Sequence, residues 1–365
     1  MSSLLFYTPL NFKSLSHLPD VKLWLGMFKV FNDNVAYIDR TGVTINPIRC
    51  STTDHIKLPV SDPTFNKTFK ECALITAEKI YKKHLEHNVP IRVFWSGGID
   101  STAALLAFVE LLGVEEARRA VEVVMTSRSI LENPYTWEKV VRKENFIVHN
   151  ALHFKEQWNG DCIIVNGECG DQVQGGEGYR NLVNIFGPDA ITTPWNLDNL
   201  SKFVSTRSGL DKQETEKLVS IFVEQVDKAP IPLPTMGDFS WWLNFSGKWA
   251  STYYRTSTKS PTLLTNEFFA NYFFPFYSSD EFQLWSMYTR HEQHKGDWAS
   301  YKWAAKDFIC DCLGSQEYQQ KHRHGSLVSV LNHTLRASAI DDHFKLYYNI
   351  NPEDWYNPNN SFKML

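Results

Sequence analysis

The stretch Val93-Phe94-Trp95-Ser96-Gly97-Gly98-Ile99-Asp100-Ser101-Thr102 joins an apolar run to a strong helix former, and it decides the fold. Residues 91–95 are largely apolar and β-prone, which predicts a buried strand ending at the Ser-Gly-Gly turn. Apolar residues then recur at helical spacing, and Gly113 is placed to end that helix. They are Ala104, Leu105, Phe108, Leu111 and Leu112. The sequence therefore predicts a strand, a tight loop and a helix.

Such a loop is suited to binding phosphate. Glycines let the backbone approach an anion, and the first N–H groups of a helix lack intrahelical partners and favour negative charge. Ser96, Ser101 and Thr102 add hydroxyl donors. Asp100 would repel phosphate unless a cation lay between them, which indicates magnesium. The alternative is an ordinary turn with Asp100 or Ser101 as N-cap. The full order Ser-Gly-Gly-x-Asp-Ser favours the nucleotide interpretation, although no Walker Gly-Lys-Ser/Thr follows the glycines.

A parallel sheet is predicted around this loop. Further strands are expected at residues 121–126, 146–149 and 161–166, and helices at 65–84 and 133–144, the latter capped by Asn133. Strands that alternate with helices indicate a doubly wound α/β fold with helices on both faces. Ligands of such sheets bind outside the carboxyl ends of the strands, where the 96–101 loop is expected to lie.

A second glycine-rich run follows the strand predicted at 161–166. It reads Asn166-Gly167-Glu168-Cys169-Gly170-Asp171-Gln172-Val173-Gln174-Gly175-Gly176. Glu168 and Asp171 could hold a metal ion and act as a base, or they could be solvated carboxylates on a flexible turn. A position facing the phosphate loop from the same sheet edge would make the two runs one site.

Changes in the pattern of apolar and turn-forming residues divide the chain into four regions. Residues 1–65 predict a small antiparallel β meander with strands at 22–31, 35–38 and 43–45, and residues 66–190 hold the α/β core. Residues 191–330 predict a mostly helical part, including an aromatic-rich helix at 236–254 interpreted as core. Residues 331–365 predict a helix and a polar tail.

Composition limits the classes of function. The net charge of -4 over 365 residues does not favour a general nucleic-acid binder. The six cysteines include no Cys-x-x-Cys, which argues against a zinc ribbon and fits free thiols in a reducing compartment. The N-terminus does not resemble a signal peptide, and no apolar run approaches the ~20 residues that span a bilayer. We therefore expect a cytoplasmic protein without a membrane partner.

The run 96–101 resembles the pyrophosphate-binding loop of the N-type ATP pyrophosphatases. This superfamily includes asparagine, GMP, NAD and argininosuccinate synthetases and several tRNA-thiolating enzymes. The resemblance implies an adenine nucleotide alpha hydrolase-like fold with ATP and Mg²⁺ as cofactors. It also implies that the loop holds the β and γ phosphates while a substrate oxygen attacks the α phosphorus. The products would be an adenylated substrate and pyrophosphate.

The second run resembles the asparagine synthetase motif Gly-Glu-Gly-Ser-Asp-Glu and the Gly-Gly that follows it. Gly167, Glu168 and Asp171 match the motif, whereas Cys169 replaces a glycine. Gly170 and Gln172 replace the serine and the last glutamate, and Gly175 and Gly176 match the later glycines. Cys169 is interpreted as a space-filling substitution in preference to a reactive thiol.

Later segments continue the resemblance. Residues 274–282 are similar to the Val-Pro-Phe-Leu-Asp segment, 301–306 to the Lys-x-x-Leu-Arg helix and 321–325 to the Arg-x-Lys-x-Gly run. Ser2 stands where glutamine-dependent asparagine synthetases begin a glutaminase domain with cysteine, and 65 residues are too few for that domain. The nucleophile would then be free ammonia or another amine.

The resemblance implies a role for each matched residue. Asp100 and Asp171 would bind magnesium, Glu168 would orient the nucleophile or take its proton, and Lys302 would neutralise the leaving polyphosphate. The expected ATP contacts are Phe94, Trp95, Ser96, Gly97, Gly98, Asp100, Ser101, Thr102, Met125, Thr126 and Gly167, with adenine near Phe94, Trp95, Met125 and Thr126. Asp171 is also expected to be catalytic.

The predicted function is an ATP-dependent ligase that amidates a small-molecule acceptor. Two alternatives stay open. One is adenylation of a nucleobase in tRNA or another nucleic acid followed by sulfur or nitrogen insertion, which is not favoured by the charge or by the missing paired cysteines. The other is a non-catalytic regulator that binds ATP.

Overall fold

The computed structural model describes residues 3–7, 9–18, 20–31, 36–46, 48, 56–153, 160–257, 264–289, 298–316, 318 and 344–346. Its strands are β1 (Ser3–Phe6), β2 (Ile91–Phe94), β3 (Val121–Met125), β4 (Ile147–Asn150), β5 (Ile163–Asn166), β6 (Phe273–Pro275) and β7 (Phe344–Leu346). Five of them form a sheet in the order β4-β3-β2-β5-β6, and β1 pairs with β7. All neighbouring strands in both sheets run parallel.

The described residues also form fifteen α-helices. In chain order they are α1 (Pro9–Ser14), α2 (Val21–Val30), α3 (Phe69–His87), α4 (Ile99–Ala120), α5 (Ser127–Glu132), α6 (Pro134–Thr136), α7 (Gly170–Val173), α8 (Gly176–Phe186), α9 (Leu197–Ser208), α10 (Lys212–Asp227), α11 (Met236–Gly247), α12 (Trp249–Arg255), α13 (Asn266–Asn271), α14 (Asp280–Tyr288) and α15 (Trp303–Leu313). Helix α4 packs against β2, β3 and β5 and is covered by α3 and α15.

The strand order places the ends of β2 and β5 beside each other. Ile91 of β2 pairs with Val121 of β3 on one side and with Ile163 of β5 on the other. Because β2 and β5 are adjacent and parallel, the residues that follow them emerge at the same sheet edge. The segment at 95–98 and the segment at 167–169 are therefore neighbours, as a parallel arrangement requires.

The α/β class, the parallel sheet and the helical character of the later half are confirmed in the part of the chain described here. The four strands predicted for residues 66–190 agree with β2, β3, β4 and β5 to within two residues at their ends. The helix predicted to end at Gly113 continues to Ala120, with a kink at Gly113, where the φ of 71° and ψ of 160° are not helical. The Asn133 side chain accepts a hydrogen bond from the Thr136 amide and caps α6, which continues into a π-helical turn at Trp137–Val141.

The aromatic-rich stretch at 236–254 forms two helices, α11 and α12, in place of one. Its large rings are core residues, as predicted. Those of Trp241, Trp242, Phe245, Trp249 and Tyr253 are all buried. The Trp241 indole N–H donates to the Ser286 hydroxyl and that of Trp242 donates to the Gln225 carbonyl, so these two polar edges have partners inside the core.

The antiparallel meander predicted near the N-terminus is wrong for the described residues. Residues 22–31 fall largely in α2, and residues 36–46 contain no strand. The helix arises because Val21, Trp24 and Phe28 recur at helical spacing and are buried together. The run is also apolar enough to be mistaken for a strand. The turn predicted at 32–34, between the first two of these strands, and residue 35 lie outside the described residues.

The N-terminal region packs against the helical half. The Ile38 amide donates to the Gly247 carbonyl at 2.8 Å, and the Tyr37 hydroxyl donates to Gln225 Oε1 at 2.7 Å. Helix α2 contacts α9 and α10. Searched over the described residues, the helices include none with the length and apolar character needed to cross a bilayer.

Candidate functional site

The loop after β2 is shaped by its own hydroxyl groups. Ser101 Oγ accepts hydrogen bonds from the Ser96 amide at 3.0 Å and lies 2.9 Å from the Ser96 hydroxyl, and it donates to the Gly98 carbonyl at 3.2 Å. The Gly98 amide in turn donates to Ser96 Oγ at 3.2 Å. These bonds fix the turn in front of the α4 N-terminus, where Gly98 is the N-cap.

Gly97 is required by both conformation and space. Its φ of 77° lies in the left-handed region that favours glycine. A Cβ at this position would stand 2.8 Å from Glu132 Cβ and closer still to the Ser129 carbonyl oxygen. The loop is thus pressed against α5, which follows the neighbouring strand β3.

The second glycine-rich run lies directly against this loop. A Cβ on Gly167 would stand 2.8 Å from the Ser101 amide nitrogen, and one on Gly170 would stand 2.5 Å from the Asp100 carboxylate. Gln174 Nε2 donates to Asp100 Oδ1 at 3.2 Å. The two runs singled out from the sequence therefore form one surface. Only glycine leaves room for that approach at the two contact points.

Lys302 connects the two acids. Its ammonium contacts Asp100 Oδ2 and, at 2.8 Å, Asp171 Oδ1. The Lys302 side chain is only 6% exposed although it carries a charge, so the acids supply the compensation that burial of a cation demands. Lys302 lies at the N-cap of α15 with a φ of 59°, one position before the helix in which it was expected.

The charges of this cluster stabilise one another. Burial by itself would raise the pKa of Asp171, but the Lys302 ammonium and the Tyr301 hydroxyl outweigh it and hold that pKa well below its usual range. Burial would lower the pKa of Lys302, and the carboxylates of Asp100 and Asp171 reverse this and raise it. The cluster is a doubly anionic site occupied by an internal cation.

Glu168 lies in a second ion pair. Arg255 donates to Glu168 Oε1 through Nε at 2.8 Å and to Oε2 through Nη2 at 2.5 Å, and the Thr256 hydroxyl donates to Oε1 at 3.1 Å. The carboxylate is buried, so this bidentate pair compensates its charge. Both oxygens of the predicted base are engaged by protein donors in this arrangement.

Cys169 occupies a strained position between the two acids. Its φ of 66° is in the left-handed region, which explains why a glycine would suit this place in the motif it resembles. Its thiol is buried, and that burial raises the pKa well above the ordinary value. A thiol that stays protonated is a poor nucleophile, in keeping with a space-filling role.

Four residues that were expected to contact the nucleotide are buried beneath the loop. The Trp95 indole N–H donates to Thr102 Oγ1 at 3.0 Å, and both side chains are fully buried. Phe94 and Met125 are also buried, each 4% exposed. Trp95, Thr102, Phe94 and Met125 therefore lie in the core that adjoins the site. The site itself brings together Ser96, Gly97, Gly98, Asp100, Ser101, Gly167, Asp171 and Lys302. Thr126, also named for adenine, is the N-cap of α5.

A cavity of about 150 Å³ borders the loop. Its lining includes Glu132 and Asn133, and the Asn133 amide nitrogen Nδ2 donates to Thr102 Oγ1 at 3.3 Å. Aromatic and apolar walls come from Tyr135, Leu313 and Tyr318. The volume is large enough for a small organic molecule.

The two acids fit a divalent cation. A single ammonium nitrogen already contacts an oxygen of each, so both carboxylates can reach one cation. Within the described ranges, no group of three or more His, Cys, Asp or Glu side chains is arranged to hold a metal. Magnesium is commonly held by one or two carboxylates and completed by substrate phosphates and water.

Comparison with protein-family models, with curated proteins and with solved structures finds no match for this chain. The likeness to the ATP pyrophosphatases therefore depends on the motifs quoted above.

Several residues of the site were not found from the sequence. Arg255 engages Glu168 from 87 positions away, and no local pattern marks it. Tyr301 engages Asp171 from 130 positions away, and although it begins the similar segment at 301–306, no role was predicted for it. Gln174 lies inside the second glycine-rich run, so its contact with Asp100 could have been suspected. The similar segment at 321–325 lies outside the described residues.

Proposed function

We propose that this protein is an ATP-dependent ligase of the asparagine synthetase-like type, with a doubly wound PP-loop core. One observation carries the proposal: Asp100, from the hydroxyl-lined loop after β2, and Asp171, from the run after β5, meet around Lys302. A glycine-rich loop at a helix N-terminus suits phosphate, and paired carboxylates suit the magnesium that accompanies it.

The loop would bind the triphosphate. The amide groups at the start of α4 would donate to the β and γ phosphates, and the Ser96 and Ser101 hydroxyls would exchange their bonds within the loop for bonds to phosphate oxygens. Buried Asn166, at the end of β5, adds an amide nitrogen Nδ2 with no hydrogen-bond partner in the described part of the chain. A buried donor without a partner is costly, and a bound ligand would relieve that cost.

Asp100 and Asp171 would hold magnesium, which supplies charge neutralisation for the leaving pyrophosphate. Lys302 is close enough to both acids to share that work by contacting phosphate oxygens. Preorganised charge of this kind typically contributes several kcal/mol to such a transition state. Glu168 keeps Arg255 and the second glycine-rich run in place, and its predicted role toward the nucleophile stays a prediction.

The acceptor would be a small molecule. The cavity beside the loop, with Glu132, Tyr135 and Tyr318 in its lining, is a candidate place for it. Attack of its oxygen on the α phosphorus breaks the α–β phosphoanhydride bond, and pyrophosphate leaves. A nitrogen nucleophile then displaces AMP from the adenylate and loses its proton to solvent or to a protein base.

The reaction class can be tested with ATP labelled at the α phosphorus. The protein, Mg²⁺ and a panel of small carboxylates and amides with ammonia should yield labelled AMP and free pyrophosphate. Asp100→Asn should lower the rate at least about 100-fold, the size expected for one preorganised charge. Asp161→Asn, a surface acid elsewhere on the chain, is the control. Formation of ADP and orthophosphate would reject this function.

A further inference from the structure

Lys302 occupies the position that the proposed magnesium would take. Its ammonium contacts one oxygen of Asp100 and one of Asp171, and its side chain is almost completely buried between them. An ammonium needs about 2.8 Å to a carboxylate oxygen, whereas magnesium needs about 2.1 Å. Both cations cannot share this space.

Each of the two carboxylates also has a hydrogen-bond donor other than Lys302. Gln174 donates to Asp100 at 3.2 Å, and the Tyr301 hydroxyl donates to Asp171. The Tyr277 hydroxyl donates to the Asp100 carbonyl at 3.2 Å, and Asn244 donates to the Asp171 carbonyl at 3.2 Å. Side chain and backbone of each acid are thus held separately. The pair would persist if the lysine moved away.

Removal of the lysine requires a new partner for its charge. A buried ammonium that loses two carboxylates is destabilised by several kcal/mol unless another anion replaces them. A free divalent cation supplies no such anion. A bound triphosphate does, and it also supplies the oxygen ligands that complete magnesium coordination.

We propose that Lys302 is an internal cation that keeps the Asp100–Asp171 site closed until a nucleotide binds. The divalent cation then enters with the triphosphate, and Lys302 transfers from the acids to phosphate oxygens. This inference depends on the proposed function for the identity of the nucleotide. The exclusion of metal by Lys302 depends only on the contacts described above.

Binding of Mn²⁺ measured by electron paramagnetic resonance tests the exclusion without nucleotide. Wild-type protein should bind Mn²⁺ weakly at this site, and Lys302→Met should bind it at least about tenfold more tightly because the competing charge is gone. Adding Asp171→Asn to Lys302→Met should abolish the gain. Lys306→Met, one turn further along α15, removes a lysine that does not bridge the acids and should behave as wild type.

Thermal unfolding provides a second readout. Mn²⁺ should raise the unfolding temperature of Lys302→Met and leave that of the wild type nearly unchanged, which also shows that the variant is folded. Equal Mn²⁺ affinity of wild type and Lys302→Met would overturn the proposal.

The nucleotide step has its own measurement. Adding α,β-methylene-ATP should create tight Mn²⁺ binding in the wild type. If Lys302→Met gains Mn²⁺ affinity but the analogue changes nothing in the wild type, the proposed function fails while the exclusion by Lys302 stands. If the analogue binds to wild type and brings no Mn²⁺, the exchange itself is overturned.

Discussion

At the scale of single residues, the site is built from two ion pairs that share one short run. Asp171 pairs with Lys302, and Glu168, three positions earlier, pairs with Arg255. One member of each pair, Lys302 and Glu168, is buried, and a buried charge is costly to leave unpaired. They hold the run after β5 against the loop after β2.

The Glu168–Arg255 pair should be a structural coupling measurable by a double-mutant cycle. Glu168→Gln and Arg255→Met should each lower the free energy of unfolding by roughly 3 kcal/mol, because each leaves a charge without its bidentate partner. The double variant should lose less than the sum, with a coupling of about 1–3 kcal/mol. Urea unfolding of the four proteins measures it. Additive losses would show that the bidentate pair contributes no coupling.

Cys162 should make the protein less stable at alkaline pH. Burial raises the pKa of its thiol to about 12. The unfolded thiol ionises near pH 8.5 while the folded one stays protonated, so stability is full below that pH and falls as the pH rises toward 12. At pH 10 the wild type should have lost about 2 kcal/mol relative to its value at pH 7, compared with Cys162→Ala. Parallel pH profiles of the two proteins would contradict this.

At the scale of elements, the loop after β2 depends on glycine at two levels. Gly97 needs a left-handed backbone and also has no space for a side chain against α5, whereas Gly209, at the end of α9, has a left-handed backbone in open space. A comparison of substitutions at Gly97 and Gly209 therefore separates the effect of backbone strain from that of steric overlap.

Gly209→Ala should cost about 1 kcal/mol from backbone strain and leave nucleotide binding unchanged. Gly97→Ala should cost about 3 kcal/mol or more, because strain and overlap with Ser129 and Glu132 add, and should abolish binding of ATP analogues. Chemical unfolding and calorimetric titration measure the two effects. Equal stability losses in the two variants would show that the loop can move away from α5 to make room for a side chain at residue 97.

At the scale of the whole molecule, Arg40 joins the N-terminal region to the helical half. Its guanidinium donates to the carbonyls of Ile56 and Lys57 at 2.5 and 2.6 Å and to that of Phe245 at 3.1 Å. It also bonds Gln283 Oε1 and lies 4.4 Å above the ring of Trp249. One side chain thus ties Ile56 and Lys57 to α11, α12 and α14.

Arg40→Ala should loosen this connection. We expect a loss of about 3 kcal/mol, because several carbonyl groups lose their donor and the ring of Trp249 loses its cation. Limited proteolysis should cut the N-terminal region faster, while Arg128→Ala, an exposed arginine on α5, should match the wild type. Unchanged proteolysis of Arg40→Ala would mean that packing alone holds the region.

The sequence was most informative where local pattern and tertiary environment agree. The apolar run at β2, the glycines and the apolar positions of α4 predict their own structure, because a short apolar run bounded by glycines is typical of a buried strand and the later apolar residues recur at helical spacing. The strand predicted at residues 22–31 was wrong, because this apolar run fits both the period of a strand and that of a helix. Only the burial pattern of α2 shows that the helical period is the right one.

Part of the site could be predicted because it follows from the predicted strands. Strand ends at one sheet edge brought Asp100 and Asp171 together. Local pattern does not reveal which way a side chain points, so Trp95 and Thr102 were expected at the ligand and lie in the core. Nor does it reveal partners distant in sequence, as for Arg255.

The most direct test of the central claim is hydrogen–deuterium exchange with and without Mg²⁺ and α,β-methylene-ATP. If a triphosphate binds between the loop after β2 and the run after β5, backbone exchange at residues 95–102 and 167–173 should slow together on addition of the analogue. Gly97→Ala should lose both protections. Binding of the analogue with protection confined to other segments, or protection of only one of the two, would contradict the account.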